Sequence, residues 1–397
     1  MKKINIDRLK SSLMELAQIG KDPRGGITRL AYSDEYYRGA QLVKDLMEDA
    51  GLKVEVDAVG NVLGRKDGCT DRIILVGSHT DTVENGGPFD GSLGVMGAIE
   101  AMKTLDEEGI SLNHTVIVAN WAEEEGNVIK GLIGSGSFVG EIDKDIPAIE
   151  EKLRSHGITP EDIKKARCDE LENINCYLEL HIEQGGVLDN TGTDIGVVSS
   201  IVGEDRYLVT IYGKENHAGT TPMVYRDDAL IKAARLMLNL NSQCRKIDDT
   251  MVCTVGWIKA FPGEQNIIPG KVQMTVEMRS VNEESIKALA DYMKAWCSGE
   301  FSEIQLTLSQ NPVKMSSKCM NAVSEAADEL GLSRKVMQSG AGHDAMMIAN
   351  VIENTGMIFA PSVGGVSHCP EEWTEWKDIE NSVNVLLNTI LKLDKQL

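Results

Sequence analysis

The chain has 397 residues and a formal net charge of −21, and its composition is 42% hydrophobic and 25% charged. That length exceeds the usual size of a single hydrophobic core, so we expect two domains. The strong negative charge argues against nucleic acids and anionic membranes as partners, because both are polyanions.

The amino-terminal stretch MKKINIDRLKSSLMELAQIG opens with lysines but lacks the apolar run that follows them in a signal peptide. No stretch approaches the roughly 18 consecutive apolar residues of a membrane-spanning helix. The eight cysteines are scattered singly, without a CxxC pair, which is typical of reduced thiols in the cytoplasm. We therefore expect a cytoplasmic protein that has no membrane partner.

The first part of the chain alternates helices with short apolar strands. Leu9, Leu13 and Leu16 mark an amphipathic helix, and a second helix is predicted from Ser33, as N-cap, to Gly51. Further on, the predicted strands are VEVDAV, NVLGRK, RIILVGSH, TVIVANW, CYLELH and GMIFAPS. This alternation, closed by a long amphipathic carboxy-terminal helix, predicts an α/β fold with a mostly parallel sheet covered on both faces.

The middle of the chain has a different pattern. Its predicted order is strand RYLVTIYG, helix DDALIKAARLMLNL, strands MVCTVGWIKA and KVQMTVEMRS, helix NEESIKALADYMKAW and strand EIQLTLSQ. The order β-α-β-β-α-β is typical of a ferredoxin-like α+β domain. We therefore predict that residues 206–312 are inserted into an α/β domain formed by residues 1–205 and 313–397.

Chemically active side chains follow the buried strands of the predicted α/β domain. They are His79, Asp90, Glu124, Glu125, His181 and His368. Ligands bind at the carboxyl ends of parallel strands, so we expect these residues at one edge of the sheet. A single histidine there is more often structural, but clustered carboxylates repel one another unless a cation lies between them. Mixed imidazole and carboxylate donors favour Zn, Mn, Co or Ni, and one shared acid would hold a pair of ions.

Seven motifs occur in order between Gly77 and Glu372: HTD, NGGPFDG, EEEG, LELHIEQG, HAGTTPM, GHDA and GGVSH. Together they resemble the dinuclear-metal amidohydrolases that act on N-carbamoyl amino acids, allantoate and β-ureido acids. These enzymes are relatives of the co-catalytic metal aminoacylases and exopeptidases. HxD alone is a weak signal, whereas LELHIEQG and GHDA distinguish this branch from the peptidases. The resemblance implies two divalent metal ions per subunit, Zn or Mn, with Co or Ni as alternatives.

The resemblance also implies roles for individual residues. The metal ligands would be His79, Asp90, Glu125, His181 and His368. Asp90 would bridge the two ions, Asp81 would orient His79, and Glu124 would act as general base without binding metal. For Glu124 the alternative is that the three consecutive glutamates form a solvated acidic turn.

Substrate contacts are implied in both domains. The residues concerned are Gln184, His217, Asn266, Arg279, His343, Gly364 and Gly365. Arg279 and Asn266 would bind the substrate carboxylate, for which a guanidinium is well shaped, and Gln184 would contact the ureido end. His217 would reach the active site of a neighbouring subunit and steady the oxyanion. The inserted domain would then serve as lid and dimerisation domain of a homodimer.

The resemblance implies hydrolysis of the ureido C–N bond of an N-carbamoyl-L-amino acid, which yields ammonia, carbon dioxide and the amino acid. The first alternative substrate is allantoate, and N-acyl amino acids or dipeptides come next. A catalytically silent binding protein is the alternative from another class. The family usually continues EEG with a small residue, Arg and Phe, whereas this chain has residues 127–129, NVI, which leaves the substrate open. His114 and His156 belong to no motif and are expected at the surface.

Overall fold

The computed structural model describes residues 1–397, and these separate into two compact units. The first comprises residues 1–199 and 314–397, and the second comprises residues 200–313. The second unit therefore contains all of the predicted insertion, 206–312, and begins six residues before it. No helix combines the length and the apolar character that crossing a lipid bilayer would require.

The first segment of the chain alternates helices and strands as its sequence pattern predicts. Its elements are α1 (Ile6–Leu16), α2 (Asp34–Asp49), β1 (Lys53–Val56), β2 (Val62–Lys66), β3 (Ile73–His79), α3 (Ser92–Glu107), β4 (Thr115–Trp121), α4 (Ile133–Val139), α5 (Ile146–Ser155), α6 (Pro160–Lys165), β5 (Ile174–Ile182), α7 (Val187–Thr191) and β6 (Ile195–Ile201). The predicted N-cap of α2 is present, because the Ser33 side chain accepts a hydrogen bond from the Tyr36 N–H.

The second unit is built around an antiparallel sheet. Its elements are β7 (Gly203–Tyr212), β8 (Asn216–His217), α8 (Ala229–Ile247), β9 (Val252–Thr254), β10 (Ile258–Phe261), β11 (Ile267–Ile268), β12 (Lys271–Ser280), α9 (Glu283–Ser298) and β13 (Ser302–Gln310). The sheet order is β10-β12-β7-β13, with β9 also paired to β12, and β8 pairs separately with β11. This is the predicted ferredoxin-like βαββαβ topology.

One predicted strand of the second unit is interrupted. MVCTVGWIKA forms β9 and β10 instead of one strand. Thr254 pairs with Glu277, and Ile258 pairs with Met274. Four residue steps therefore oppose three on β12, so one extra residue is accommodated as a bulge.

The chain then returns to the first unit. The remaining elements are β14 (Val313–Lys314), α10 (Ser317–Glu329), β15 (Arg334–Ser339), α11 (Ala345–Ala349), β16 (Thr355–Ala360) and α12 (Trp376–Gln396). The predicted apolar stripe of α12 is buried, with Ile379, Val383, Leu386 and Ile390 at most 1% exposed. Each such aliphatic side chain contributes about 1.5–3 kcal/mol through burial.

The sheet of the first unit has the order β1-β2-β4-β3-β5-β16-β6-β14, with β15 also paired to β6. Its four central strands, β4, β3, β5 and β16, are parallel to their neighbours, and antiparallel strands flank them. Helices α1, α3 and α12 pack in one core, and a smaller cluster gathers around α4, α5 and α6. The α/β prediction is thus confirmed, and the carboxyl ends of the four central strands meet at one edge.

Candidate metal centre and active site

Two groups of three side chains meet at Asp90. His79, Asp90 and His181 offer ligand atoms within 4.8 Å of one another, and so do Asp90, Glu125 and His368. Oδ1 of Asp90 lies 3.2 Å from Nε2 of His181, and Oδ2 lies 3.0 Å from Nε2 of His368. One carboxylate therefore faces both triads, which is the arrangement of a bridging ligand between two cations.

Neighbouring parallel strands deliver two of these histidines. His79 ends β3 and His181 lies near the end of β5, and their stacked rings have centroids 5.8 Å apart. The loop that carries Asp90 comes back to them at Gly91, whose φ is +61°. A Cβ at Gly91 would lie 2.3 Å from Nε2 of His79, so only glycine lets the loop approach the ring.

Hydrogen bonds fix the orientation of the two rings. Nδ1 of His79 lies 3.1 Å from the backbone carbonyl of Asp81, and Nδ1 of His181 lies 2.8 Å from the carbonyl of Ile182. Since a carbonyl only accepts, each Nδ1 carries the proton and each Nε2 presents its lone pair to the triad. The Asp81 carboxylate is farther from His79, at 3.6 Å.

The Asp81 carboxylate instead supports the two glutamates. Its oxygens accept hydrogen bonds from the backbone N–H groups of Glu124, at 3.3 Å, and Glu125, at 3.2 Å. Asp81 thus orients His79 through its carbonyl and the glutamate turn through its side chain. The sequence suggested only the first of these two roles.

The two glutamates occupy different positions. Oε2 of Glu124 lies 3.7 Å from Nε2 of His79, and Glu124 belongs to neither triad. Oε2 of Glu125 lies 3.6 Å from Nε2 of His368. Burial raises the pKa of Glu124 well above its usual range, although His79 opposes the shift. Burial also raises the pKa of Glu125 to about 8, and the charge of Asp90 adds to this.

The preceding residue, Glu123, shapes the loop beyond the glutamates. Its buried carboxylate accepts hydrogen bonds from the backbone N–H groups of Ile129, at 2.8 Å, and Gly131, at 2.9 Å. Ile129 packs in the cluster around α4, α5 and α6. Val128 also packs against this cluster, whereas Asn127 is exposed. Two of the three residues in the divergent segment 127–129 therefore contribute to the hydrophobic packing there.

Three of the six non-glycine residues with positive φ lie at or beside the site. Glu123, Gln184 and His368 have φ values of 56°, 55° and 57°, in the left-handed region that non-glycine residues rarely adopt. Such conformations persist where surrounding contacts over-determine them, commonly at functional sites.

The donor set fits a pair of divalent cations. Three imidazoles and two carboxylates converge, which suits Zn, Mn, Co or Ni better than Ca or Mg. Burial works against ionisation of Asp90, but the hydrogen bond from His368 and the nearby imidazoles hold its pKa well below the usual range. The same bond to Asp90 raises the pKa of His368 to about 9.

The predicted substrate contacts of the first unit have different surroundings. Nε2 of Gln184 donates to both oxygens of Asp90, at 3.1 Å each. His343 is buried behind the site, where its ring lies 4.5 Å from that of His181 and its Nε2 lies 2.8 Å from Oγ of Ser339. The backbone N–H groups of Gly364 and Gly365 donate to the Asp189 carboxylate and the Ser362 carbonyl, at 2.8 and 2.9 Å. Gln184 therefore contacts the shared carboxylate of the two triads and His343 contacts the ring of His181, whereas the N–H groups of Gly364 and Gly365 bond elsewhere.

In the second unit, His217 and Asn266 are adjacent. His217 lies on β8, which pairs with β11, and Ala218 N–H donates to the Asn266 carbonyl at 2.8 Å. Both residues are exposed. Nδ1 of His217 accepts hydrogen bonds from the N–H groups of residues 219 and 220, at 3.0 and 3.2 Å. The proton of the neutral ring is therefore on Nε2.

Arg279 lies elsewhere in the second unit. It is the ninth residue of β12, whereas Asn266 precedes the first residue of that strand. The eight residue steps from Lys271 to Arg279 span about 26 Å of strand, and Asn266 comes before the start of that strand. The guanidinium pairs with Glu277 at 2.8 Å and with Glu204 at 3.0 Å.

Two buried groups near these strands were not identified from the sequence. Glu179 on β5 accepts hydrogen bonds from Ser78, Tyr177 and the N–H of Ala345, at 2.9 to 3.1 Å. An acid inside an otherwise apolar strand was the available signal. Glu372 contacts the Asp90 loop, and no local pattern indicates this.

The surface assignment of His114 is wrong. The residue is 4% exposed, and its Nδ1 lies 3.1 Å from Oδ1 of Asp394 on α12. The helix covers the start of β4 there, which the sequence around His114 does not reveal. His156 is exposed, as expected. All eight cysteines are free thiols.

Comparisons with known proteins agree with this geometry. Residues 75–392 match the model of Peptidase family M20/M25/M40. The chain is 35% identical to an N-carbamoyl-L-amino-acid amidohydrolase of Paenarthrobacter aurescens, over 100% of both chains. It is 37% identical to an allantoate amidohydrolase of Bacillus subtilis, over 95% of each.

A solved structure extends the likeness to the fold. A hydantoinase/carbamoylase family amidase from Burkholderia multivorans superposes with a TM-score of 0.87 at 34% identity, and the match covers 98% of each chain. The resemblance drawn from the seven motifs is thus confirmed. The chain belongs to peptidase family M20/M25/M40 and is a hydrolase of C–N bonds.

Proposed function

We propose that the protein hydrolyses the ureido C–N bond of an N-carbamoyl-L-amino acid, releasing ammonia, carbon dioxide and the amino acid. The observation that carries this proposal is the position of Asp90 between two triads, with Glu124 beside one of them. The relatives named N-carbamoyl-L-amino-acid amidohydrolases support it. We also propose that the protein is located in the cytoplasm.

Five residues would hold two divalent ions, Zn or Mn. His79 and His181 would serve one position, Glu125 and His368 the other, and Asp90 both. When bound, such ions polarise a carbonyl group and make water more acidic. Asp81 holds the glutamate turn in place through the two backbone hydrogen bonds that it accepts.

Glu124 would move the proton. Its Oε2 takes a proton from the attacking water as the new C–O bond forms at the carbamoyl carbon. Glu124 then gives that proton to the departing nitrogen as the C–N bond breaks. The carbamate that remains loses carbon dioxide, so the atoms balance with one water consumed.

His217 would stabilise the oxyanion. Because its Nδ1 accepts two backbone hydrogen bonds, its Nε2–H is available as a donor to developing negative charge. Gln184 would turn from Asp90 toward the ureido group when ions and substrate bind.

The protein would act as a homodimer that pairs through the second unit. The sheet there has two edges, β10 and β13, and natural edge strands are usually covered or paired. Large apolar side chains are exposed on this unit, among them Met223, Val224, Tyr225, Leu238, Val252 and Trp257. Pairing two copies about a two-fold axis would cover such surfaces with one self-complementary interface.

A dimer also accounts for the separated carboxylate ligands. Arg279 lies near the end of β12 and Asn266 comes before its start, so we propose that they meet one substrate with each coming from a different subunit. His217 would accompany Asn266, since their strands are paired. The substrate carboxylate would then compete with Glu204 and Glu277 for the guanidinium of Arg279.

Allantoate is the second candidate, because allantoate amidohydrolases are as similar to this chain as the N-carbamoylases are. Ammonia release should be measured with N-carbamoyl-L-amino acids, allantoate, N-acetyl amino acids and dipeptides. We expect the highest kcat/KM for an N-carbamoyl-L-amino acid. A higher kcat/KM for allantoate would make allantoate the substrate in place of an N-carbamoyl-L-amino acid. Ion binding without turnover of any compound would identify the protein as a binding protein.

A further inference from the structure

Glu372 is a buried carboxylate that joins two loops far apart in the chain. Its Oε1 accepts hydrogen bonds from the backbone N–H groups of Phe89, at 2.9 Å, and Asp90, at 3.1 Å. Its Oε2 accepts one from Oγ of Ser367, at 2.7 Å. Ser367 precedes His368, so one side chain contacts two of the three segments that deliver ligands to the second triad, those of Asp90 and His368.

The surroundings leave this carboxylate no other position. Glu372 is 1% exposed. A Cβ at Gly87 would lie 2.2 Å from Cδ of Glu372, so glycine is required where the Asp90 loop passes over the side chain. The next residue, Trp373, packs edge-to-face on Phe89 with ring centroids 5.2 Å apart. Polar and apolar contacts thus lock the same two loops together.

We propose that Glu372 is a positioning residue, which holds Asp90 and His368 at the separation that the second cation position requires and does not itself bind the ion. This inference rests on the ligand assignment of the proposed function. The separation concerned is the 3.0 Å between Oδ2 of Asp90 and Nε2 of His368. Without Glu372, the N–H of Asp90 and the hydroxyl of Ser367 lose their common acceptor, and the two ligands are free to separate.

Two substitutions distinguish the hydrogen bonds from the charge. Glu372→Gln keeps an amide oxygen that accepts from both N–H groups, and its NH₂ donates to the Ser367 hydroxyl oxygen. Glu372→Ala removes all three bonds. Outer partners of metal ligands typically contribute ~10- to 100-fold in affinity. We therefore expect Glu372→Ala to weaken one of two binding positions by that factor, and Glu372→Gln to restore it to within a few-fold.

The experiment is a titration of the purified full-length protein, freed of metal, with Zn²⁺ or Mn²⁺, with bound ions counted by elemental analysis. The matched control is Asp394→Ala. Asp394 is also a buried carboxylate that accepts two backbone N–H bonds, from Asn113 at 3.1 Å and His114 at 2.7 Å. It lies near the start of β4, whereas the metal triads follow the strand ends. The control should lose thermal stability and keep both ions.

Two results would overturn the inference. One is wild-type affinity at both positions in Glu372→Ala, and the other is an equal loss of affinity for both ions in the Asp394→Ala control. If Glu372→Ala does not fold, Ser367→Ala decides. It removes the link from Glu372 to the His368 loop, together with the longer contact of 3.5 Å between Oγ of Ser367 and Nε2 of Gln184. We expect weaker binding at one position, whereas unchanged binding contradicts the proposal. Ion binding is independent of turnover, so a protein that binds two ions but hydrolyses no ureido acid would refute the proposed function and leave this inference intact.

Discussion

Nε2 of His79 and Oε2 of Glu124 lie 3.7 Å apart. One of these residues belongs to a triad that can hold a cation, and the other belongs to none. Glu124 is therefore close to the two triads without being one of the residues that could bind a cation. This difference separates the proposed general base from the proposed ligands and can be tested by substitution.

Glu124→Gln should keep both ions and the fold but lose kcat by about 10²–10⁴, the usual contribution of general acid–base catalysis. The amide has nearly the same shape and cannot accept the proton. Ammonia release and metal content should be measured on the same preparation. Loss of an ion in this variant would mean that Glu124 is a ligand and that its role has been exchanged with that of Glu125.

Substitution of the ligands should affect the two ions selectively. His79→Ala should remove one ion and His368→Ala the other, whereas Asp90→Ala should remove both, because only Asp90 belongs to both triads. All three should lose activity. His156→Ala is the control, since His156 is exposed and belongs to neither triad. An Asp90→Ala protein that binds two ions and turns over normally would show that the assignment is wrong.

Arg279→Ala should act mainly through binding. Loss of a charge-assisted hydrogen bond of about 1.5–3 kcal/mol raises KM by roughly 10- to 100-fold. Arg206→Ala is a matched control, because Arg206 pairs with the same two acids, Glu204 and Glu277. A rise in KM for both variants would indicate that the charge network maintains the structure. Unchanged kinetics for Arg279→Ala would show that Arg279 does not bind the substrate.

Shared active sites predict complementation between two inactive variants. A His217→Ala subunit mixed with a Glu124→Gln subunit gives a dimer in which one site carries both defects and the other carries neither. Activity should therefore reappear after subunit exchange, up to about half that of the wild type in each mixed dimer. Exchange should be verified with an affinity tag on one variant. Exchange without recovered activity would mean that His217 serves its own subunit or takes no part.

The sequence was most informative where local pattern and chemistry coincide. The runs ending at His79 and His181 are mostly apolar, with Ser78 and Glu179 as the polar residues before the histidines, and such a run marks a buried strand that opens onto a site. Both strands are observed, with every residue of β3 buried. The division of ligands between two triads could not be predicted, because it depends on which loop faces which ring.

Other features depend on tertiary contacts that no local pattern reveals. The bulge after Thr254 arises from pairing with β12, although the segment reads as one continuous strand. His114 is buried because Asp394 reaches it from a helix 280 residues later in the chain. Glu372 resembles an ordinary surface glutamate in the sequence, beside another acid, and only the returning loop gives it three donors.

The most direct test of the central claim is a titration of the metal-free enzyme with Zn²⁺ or Mn²⁺ during turnover of the best ureido acid of the panel. Bound ions and ammonia release should be followed together. We expect no turnover without metal, and activity that rises to a plateau at two ions per chain while Glu124→Gln binds the same two ions and remains nearly inactive. Full turnover by the metal-free protein, or a plateau of bound metal without ammonia from any ureido acid, would contradict it.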